Sequence, residues 1–127
     1  MPSPKEVEAV LRLDGAERYK HFVKRVADAE RAWGLWKSGW ALMADHEGNA
    51  VFPIWPAREY ASLCATGDWD GYVPNEIALE HLLDELLPEL EAKQTRPGVF
   101  PTPNGRGVTA SVGELVGALR LELERHT

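Results

Sequence analysis

At residue 32 the spacing of apolar side chains switches from the three-and-four steps of a helix to short aromatic runs, and that switch dictates a chain that mixes helix with sheet. Upstream, Ser3-Pro4-Lys5-Glu6 offers a cap residue, proline at the first helical position and glutamate at the third. It predicts a helix from Pro4 to about Leu13 with Val7, Val10 and Leu11 on its apolar side. Asp14-Gly15-Ala16-Glu17 repeats the capping signal, and Ala16, Tyr19, Phe22, Val23 and Val26 carry a second helix to about residue 30. Downstream, Ala32–Trp36, Trp40–Ala44 and Ala50–Trp55 are separated by the turn formers Lys37-Ser38-Gly39 and Asp45-His46-Glu47-Gly48-Asn49, which predicts a three-stranded antiparallel meander. Pro53 has no N–H for a ladder, so the third strand is expected at an edge or with a bulge.

Pro56 can open a short helix whose apolar side is Tyr60, Leu63 and Cys64, closed by Gly67. After a loop over Asp68–Pro74, residues 76–92 set Leu79, Leu82, Leu83, Leu86, Leu87 and Leu90 on one stripe, and Pro88 must kink or split that helix. Val99–Thr102 and Gly107–Ala110 flank an Asn-Gly turn at Pro103-Asn104-Gly105-Arg106, a hairpin signal, and Ser111-Val112-Gly113-Glu114 caps a last helix burying Leu115, Val116, Leu119 and Leu123. The order α-α-β-β-β-α-α-β-β-α predicts an α+β fold: one domain over residues 1–127, a mostly antiparallel sheet of about five strands, and helices packed on it.

Charge and composition narrow the function classes. Residues 1–40 hold eight Lys/Arg against six Asp/Glu, and residues 41–127 hold six against fourteen. Phosphate neutralisation needs basic side chains at the contact, so nucleic acid is an unfavoured partner, with Lys20, Lys24, Arg25 and Arg31 as the one local patch. Cys64 is the sole cysteine, the amino-terminal residues lack the apolar run of a secretory signal, and the acids within 77–90 interrupt its longest apolar stretch. The expectation is a cytoplasmic protein outside the membrane, monomeric or homodimeric.

Candidate chemistry is thin. His21, His46, His81 and His126 are far apart, and helical projection puts His21 and His81 opposite the apolar stripes, facing water. Cys64 sits beside Tyr60 and Leu63 like a small buried apolar residue. Ser111 has Thr109 where a nucleophile elbow needs glycine, and its capping role accounts for it. Gly105-Arg106-Gly107 is hairpin grammar, since strand follows it where a phosphate cradle needs a helix. Asp68-Trp69-Asp70-Gly71 lacks the later glutamate of a calcium loop and reads as an acidic turn. No catalytic residue, metal site or cofactor is expected.

Two features stand out. Five tryptophans, at positions 33, 36, 40, 55 and 69, place four in the meander, and Trp33 and Trp36 must point to opposite faces of a strand. They are either covered by helices or form an aromatic recognition groove. Glu76, Glu80, Asp84, Glu85, Glu89 and Glu91 line the leucine helix as a solvated face or as a docking face for a basic partner, with Glu76, Glu80 and Asp84 its candidate residues.

The run Ala32-Trp33-Gly34-Leu35-Trp36, Gly39-Trp40-Ala41-Leu42 and Phe52-Pro53-Ile54-Trp55-Pro56-Ala57-Arg58-Glu59-Tyr60-Ala61 resembles the bacterial family called domain of unknown function 2750. Trp69-Asp70-Gly71-Tyr72 and Val99-Phe100-Pro101-Thr102-Pro103 continue the resemblance, which covers about residues 20–110. Phe-Pro-Ile-Trp-Pro also bears a fainter likeness to the amino-terminal domain of enhanced serine sensitivity proteins. The resemblance implies a small bacterial cytosolic protein with no family catalytic residues. It points to a cleft where Trp55, Arg58, Tyr60, Trp69 and Tyr72 could converge. The expected function is a non-catalytic protein- or ligand-binding module of accessory or immunity type. The alternative is a small enzyme holding an anion on Arg58 with Asp68, Asp70 or His46 as acid or base.

Overall fold

Helix starts fall where the sequence places capping side chains. Ser3 Oγ accepts from the Glu6 N–H at 3.2 Å, Asp14 Oδ1 from Glu17 at 2.8 Å and Ser111 Oγ from Glu114 at 3.1 Å, each satisfying a donor that the first helical turn leaves free. The computed structural model describes residues 2–125, and His126 lies outside them. Within them run α1 (Pro4–Leu11), α2 (Gly15–Ala29), β1 (Arg31–Trp36), β2 (Met43–Ala44), β3 (Ala50–Ile54) and α3 (Arg58–Leu63). A 3-10 turn (Gly67–Trp69) leads into β4 (Val73–Ala78), α4 (Leu79–His81), a π-helical turn (Leu82–Leu86) and α5 (Leu87–Ala92). Then come β5 (Arg96–Val99), β6 (Val108–Thr109) and α6 (Val112–Glu124).

All six leucines of the stripe are buried. Pro88 does not split their helix: helical backbone runs on from Leu79 to Ala92, and the N–H that proline lacks for the carbonyl four residues back is accommodated by a change of hydrogen-bond step. The helix widens just before it, where the Leu87 N–H reaches back five residues to the Leu82 carbonyl, and the α-helical step resumes in α5 with Pro88 near its start.

The fold is α+β, but the single sheet of about five strands is replaced by six strands in two sheets. β1 does not run beside β2 as a meander requires. After β1 the chain only doubles back through an isolated Trp36–Trp40 bridge ahead of β2, and the Trp40 ring lies on Gly34, where a Cβ would come within 2.8 Å of it. The partner of β1 is β4, antiparallel along its whole length from Arg31 opposite Ala78 to Trp36 opposite Val73. Residues 73–78, expected as loop and helix start, are therefore a strand. Only Ile77 in it is buried, so it carries almost none of the alternation by which a strand is recognised.

The second sheet has the order β2-β3-β5-β6, antiparallel at both ends and parallel between β3 and β5, where Val51 faces Arg96 and Ile54 faces Val99. β2 reaches only to Val51, so Pro53 has a ladder neighbour on the β5 side alone, as its missing N–H permits. Trp33 and Trp55 join the two sheets by exchanging N–H···O bonds of 2.9 and 2.8 Å. One core fills the space under α2, the leucine helix and α6, with Phe22, Leu35, Trp55, Leu82, Phe100 and Leu115 among its fully buried side chains. Leu63, expected on the apolar side of its helix, is 43% exposed instead, because six residues of α3 turn only Tyr60 and Ala61 inward before Cys64.

The last hairpin turns one residue early: Thr102 and Gly105 exchange both backbone hydrogen bonds across Pro103-Asn104. Behind that turn Phe100 holds a left-handed φ of 60° and Gly107 a φ of 79°. A Cβ on Gly107 would lie 2.5 Å from the Val99 carbonyl oxygen. Gly107→Ala is thus expected to cost about 2 kcal/mol or more. Gly117→Ala, on α6 where a Cβ meets nothing within 4 Å, should gain about 0.5–1 kcal/mol. Urea-unfolding midpoints of the two variants check both signs, and a neutral Gly107→Ala would contradict this packing of the hairpin.

Candidate functional site

Trp55 follows β3 directly and is fully buried, so its indole N–H must find an acceptor inside the protein. It donates to the Pro101 carbonyl at 2.8 Å. The Cys64 thiol, delivered by the end of α3, approaches the same oxygen at 3.5 Å. One carbonyl of the hairpin loop is therefore held by donors from two other segments, beside the left-handed Phe100. Burial pushes the Cys64 thiol up to about 11 against the opposing pull of its Trp55 contact, so at neutral pH it is a protonated packing residue.

Trp69, on the 3-10 turn, sets its ring edge-on to Trp55 with centroids 6.0 Å apart and planes at 89°. Beside it opens a groove of about 250 Å³ lined by Trp69, Thr66 and Asp68 from one side of the chain and by Pro101, Thr102 and Arg106 of the hairpin from another. Arg106 spends one guanidinium N–H on the Ala44 carbonyl at 3.0 Å, which fixes the side chain while leaving further donors on its fork. Trp69 is half-buried and Asp68 and Arg106 are exposed.

Of the five cleft residues expected from the sequence, Trp55 and Trp69 are in ring contact. Trp55 and Tyr60 are 0% and 1% exposed, so neither presents its ring to a surface cleft. Tyr60 turns into the core, its ring centroid 4.8 Å from Phe100 and 6.3 Å from His21. Tyr72 is half-buried. Arg58 is exposed and lines a different depression, with Val7 and Leu63 between α1 and α3, away from the groove that Asp68 lines. Arg58 and Asp68, paired in the enzyme alternative, thus line separate depressions. Arg106 reads from the sequence as hairpin grammar, and Pro101 and Thr102 as the strand before the turn, so none of the three stands out as groove lining. A signal existed: Phe-Pro-Thr-Pro ahead of Asn-Gly holds more proline than a tight turn uses.

The acidic face is also rearranged. Glu76 lies on β4 opposite Trp33 and pairs with Arg31 at 3.5 Å, so it is not on the helix with Glu80 and Asp84, which are exposed. Glu85 bonds His81 at 2.8 Å, and the Lys93 ammonium 2.9 Å from Glu89 holds that carboxyl below its ordinary range. His21 is corrected in the opposite sense. It is half-buried with its Nε2 unpartnered, not turned to water, and burial lowers its imidazole below the ordinary value. Its position one residue before Phe22 puts it at the border of the apolar side, and α3 packs across that border.

A second aromatic surface sits at the end of the β1–β4 ribbon. Trp36 is 39% exposed and faces Val73, 56% exposed, across the ladder, while Trp40 meets Trp36 edge-on at 5.1 Å and is backed by Phe52 at 5.7 Å. Trp33, on the other face of β1, is half-buried, as the strand period requires. Among the described residues no group of three or more His, Cys, Asp or Glu side chains could hold a metal ion, and no helix is long and apolar enough to cross a membrane.

A family model described as "Protein of unknown function (DUF2750)" matches residues 19–119, a span that contains β1 through most of α6 and the whole Trp69 groove. No curated protein and no solved structure matches the chain.

The thiol gives a direct check on this geometry. At pH 8 a colorimetric disulfide reagent should leave Cys64 of the folded protein unreacted over minutes and modify it stoichiometrically once urea unfolds the chain. Rapid reaction of the native protein would mean that Cys64 is neither buried nor held at the Pro101 carbonyl.

Proposed function

Since the chain belongs to the DUF2750 family, whose description carries no activity, we propose that it is a non-catalytic binding module whose working part is the Trp69 groove. The observation that carries this reading is the construction of the Pro101 carbonyl. Two buried donors, Trp55 and Cys64, are committed to one loop oxygen, next to a residue in left-handed backbone. Strained backbone of this kind persists only where its surroundings over-determine it, and such places concentrate at ligand clamps. The strain lies beside the groove.

The lining chooses the guest. Trp69 supplies a flat apolar face, Asp68 an acceptor for a cation and Arg106 a guanidinium for a carboxylate. A zwitterionic guest with an apolar side chain, a free amino acid or a dipeptide terminus, satisfies all three. A groove of this volume takes a small molecule or a chain end rather than a broad protein face. The protonated thiol of Cys64 supports a binding role over a nucleophilic one.

The test is a titration of the protein with a panel of free amino acids and dipeptides, read by tryptophan fluorescence and calorimetry. Trp69→Ala and Arg106→Ala should each weaken the best binder by tenfold or more, about 1.4 kcal/mol, and Trp36→Ala should leave it unchanged. A panel from which nothing binds, or a binder indifferent to Trp69→Ala, sinks the proposal.

A further inference from the structure

Three buried polar side-chain atoms, one on each of α1, α2 and α3, have no hydrogen-bond partner: Glu6 Oε2, His21 Nε2 and Tyr60 Oη. A fourth such atom, Arg18 Nε, belongs to a guanidinium already bonded to the Leu13 carbonyl. A buried polar group left without a partner costs about 1–3 kcal/mol, so several at one junction call for an occupant. The rings of His21 and Tyr60 stand 6.3 Å apart, and both pack on Phe100, at 6.2 and 4.8 Å. Tyr60 itself is 1% exposed.

Two charges act on both rings. Burial lowers the His21 imidazole, Arg25 lowers it further and Glu6 opposes them; burial raises the Tyr60 phenol to about 12, with Glu6 adding and Arg25 opposing. Imidazole and phenol are therefore both neutral at pH 7, and Glu6 and Arg25 offset one another. Beside two neutral rings and one charge of each sign, a charged guest would meet the cost of desolvation. One small oxygen has something to gain: the phenol can donate or accept, the neutral imidazole nitrogen does one or the other by tautomer, and the carboxylate accepts.

We propose that the junction of α1, α2 and α3 is a binding site for one small neutral hydroxyl guest, held by Tyr60, His21 and Glu6 and filled by water in the ligand-free protein. The site is independent of the Trp69 groove.

The experiment is a high-resolution crystal structure of the full chain, grown and frozen without alcohols. The expected result is a density peak within about 3.2 Å of Tyr60 Oη and of His21 Nε2 or Glu6 Oε2. Absence of that peak, or a direct bond between the side chains in its place, overturns the proposal. In Tyr60→Phe, which keeps the ring on Phe100, the peak should vanish; an undisturbed peak would show that Tyr60 does not hold it. A methanol soak should put the alcohol oxygen on the same peak, and a water that stays in place would refute the wider hydroxyl site.

Discussion

The hydrogen bond from the Trp55 indole to the Pro101 carbonyl is the constraint on which the rest of the structure depends. Trp55 belongs by its backbone to the junction of the two sheets, where it exchanges bonds with Trp33, and by its side chain to the hairpin loop. Both ties are inside the protein, where an unmade bond would leave donor and acceptor without water. The Phe100 N–H donates to the Ile54 carbonyl at 2.9 Å, so the loop is fastened to β3 immediately before Trp55 as well. Ribbon, sheet and hairpin thus meet at one residue. The groove beside Trp69 inherits its shape from that meeting, because Trp69 leans on Trp55 and Pro101 forms part of the lining.

Topology explains why so much chain lies between β3 and β5. Parallel neighbours need a crossover that carries the chain back to the starting end of the sheet, whereas antiparallel neighbours need only a turn. The crossover here holds α3, β4 and the leucine helix. It serves two packing needs on the way: β4 satisfies β1 along its full length, and the leucine stripe covers the core. The π-helical turn at Leu82–Leu86 keeps that stripe inward past Pro88, so the proline changes the helix without exposing a leucine of the stripe.

Local grammar was legible in the sequence, and long-range pairing was not. Ser3, Asp14 and Ser111 cap helices because a cap is a contact three residues long. The leucine stripe and the hairpin around Pro103-Asn104 are equally local. By contrast, the pairing of β1 with β4 joins residues more than 35 positions apart, through a strand that buries only Ile77. Nothing in the spacing of Val73–Ala78 reveals that partner. The same limit applied to the site. Trp55 and Trp69 do come into ring contact, but which of them is sealed inside depends on a carbonyl at residue 101, and the cation that lines the groove beside Trp69 is Arg106 of the hairpin, while Arg58 lines another depression. The misplacement of His21 has a different cause: helical projection assigns a face, and only the arrival of α3 decides whether that face is covered.

Trp55 is the locked joint between the two sheets and the hairpin. Hydrogen exchange of the five indole N–H protons, followed residue by residue by NMR, tests it most directly. The Trp55 indole should exchange only with global unfolding, while the indole of Trp36 exchanges orders of magnitude faster. A Trp55 indole that exchanges as readily as Trp36 would contradict it.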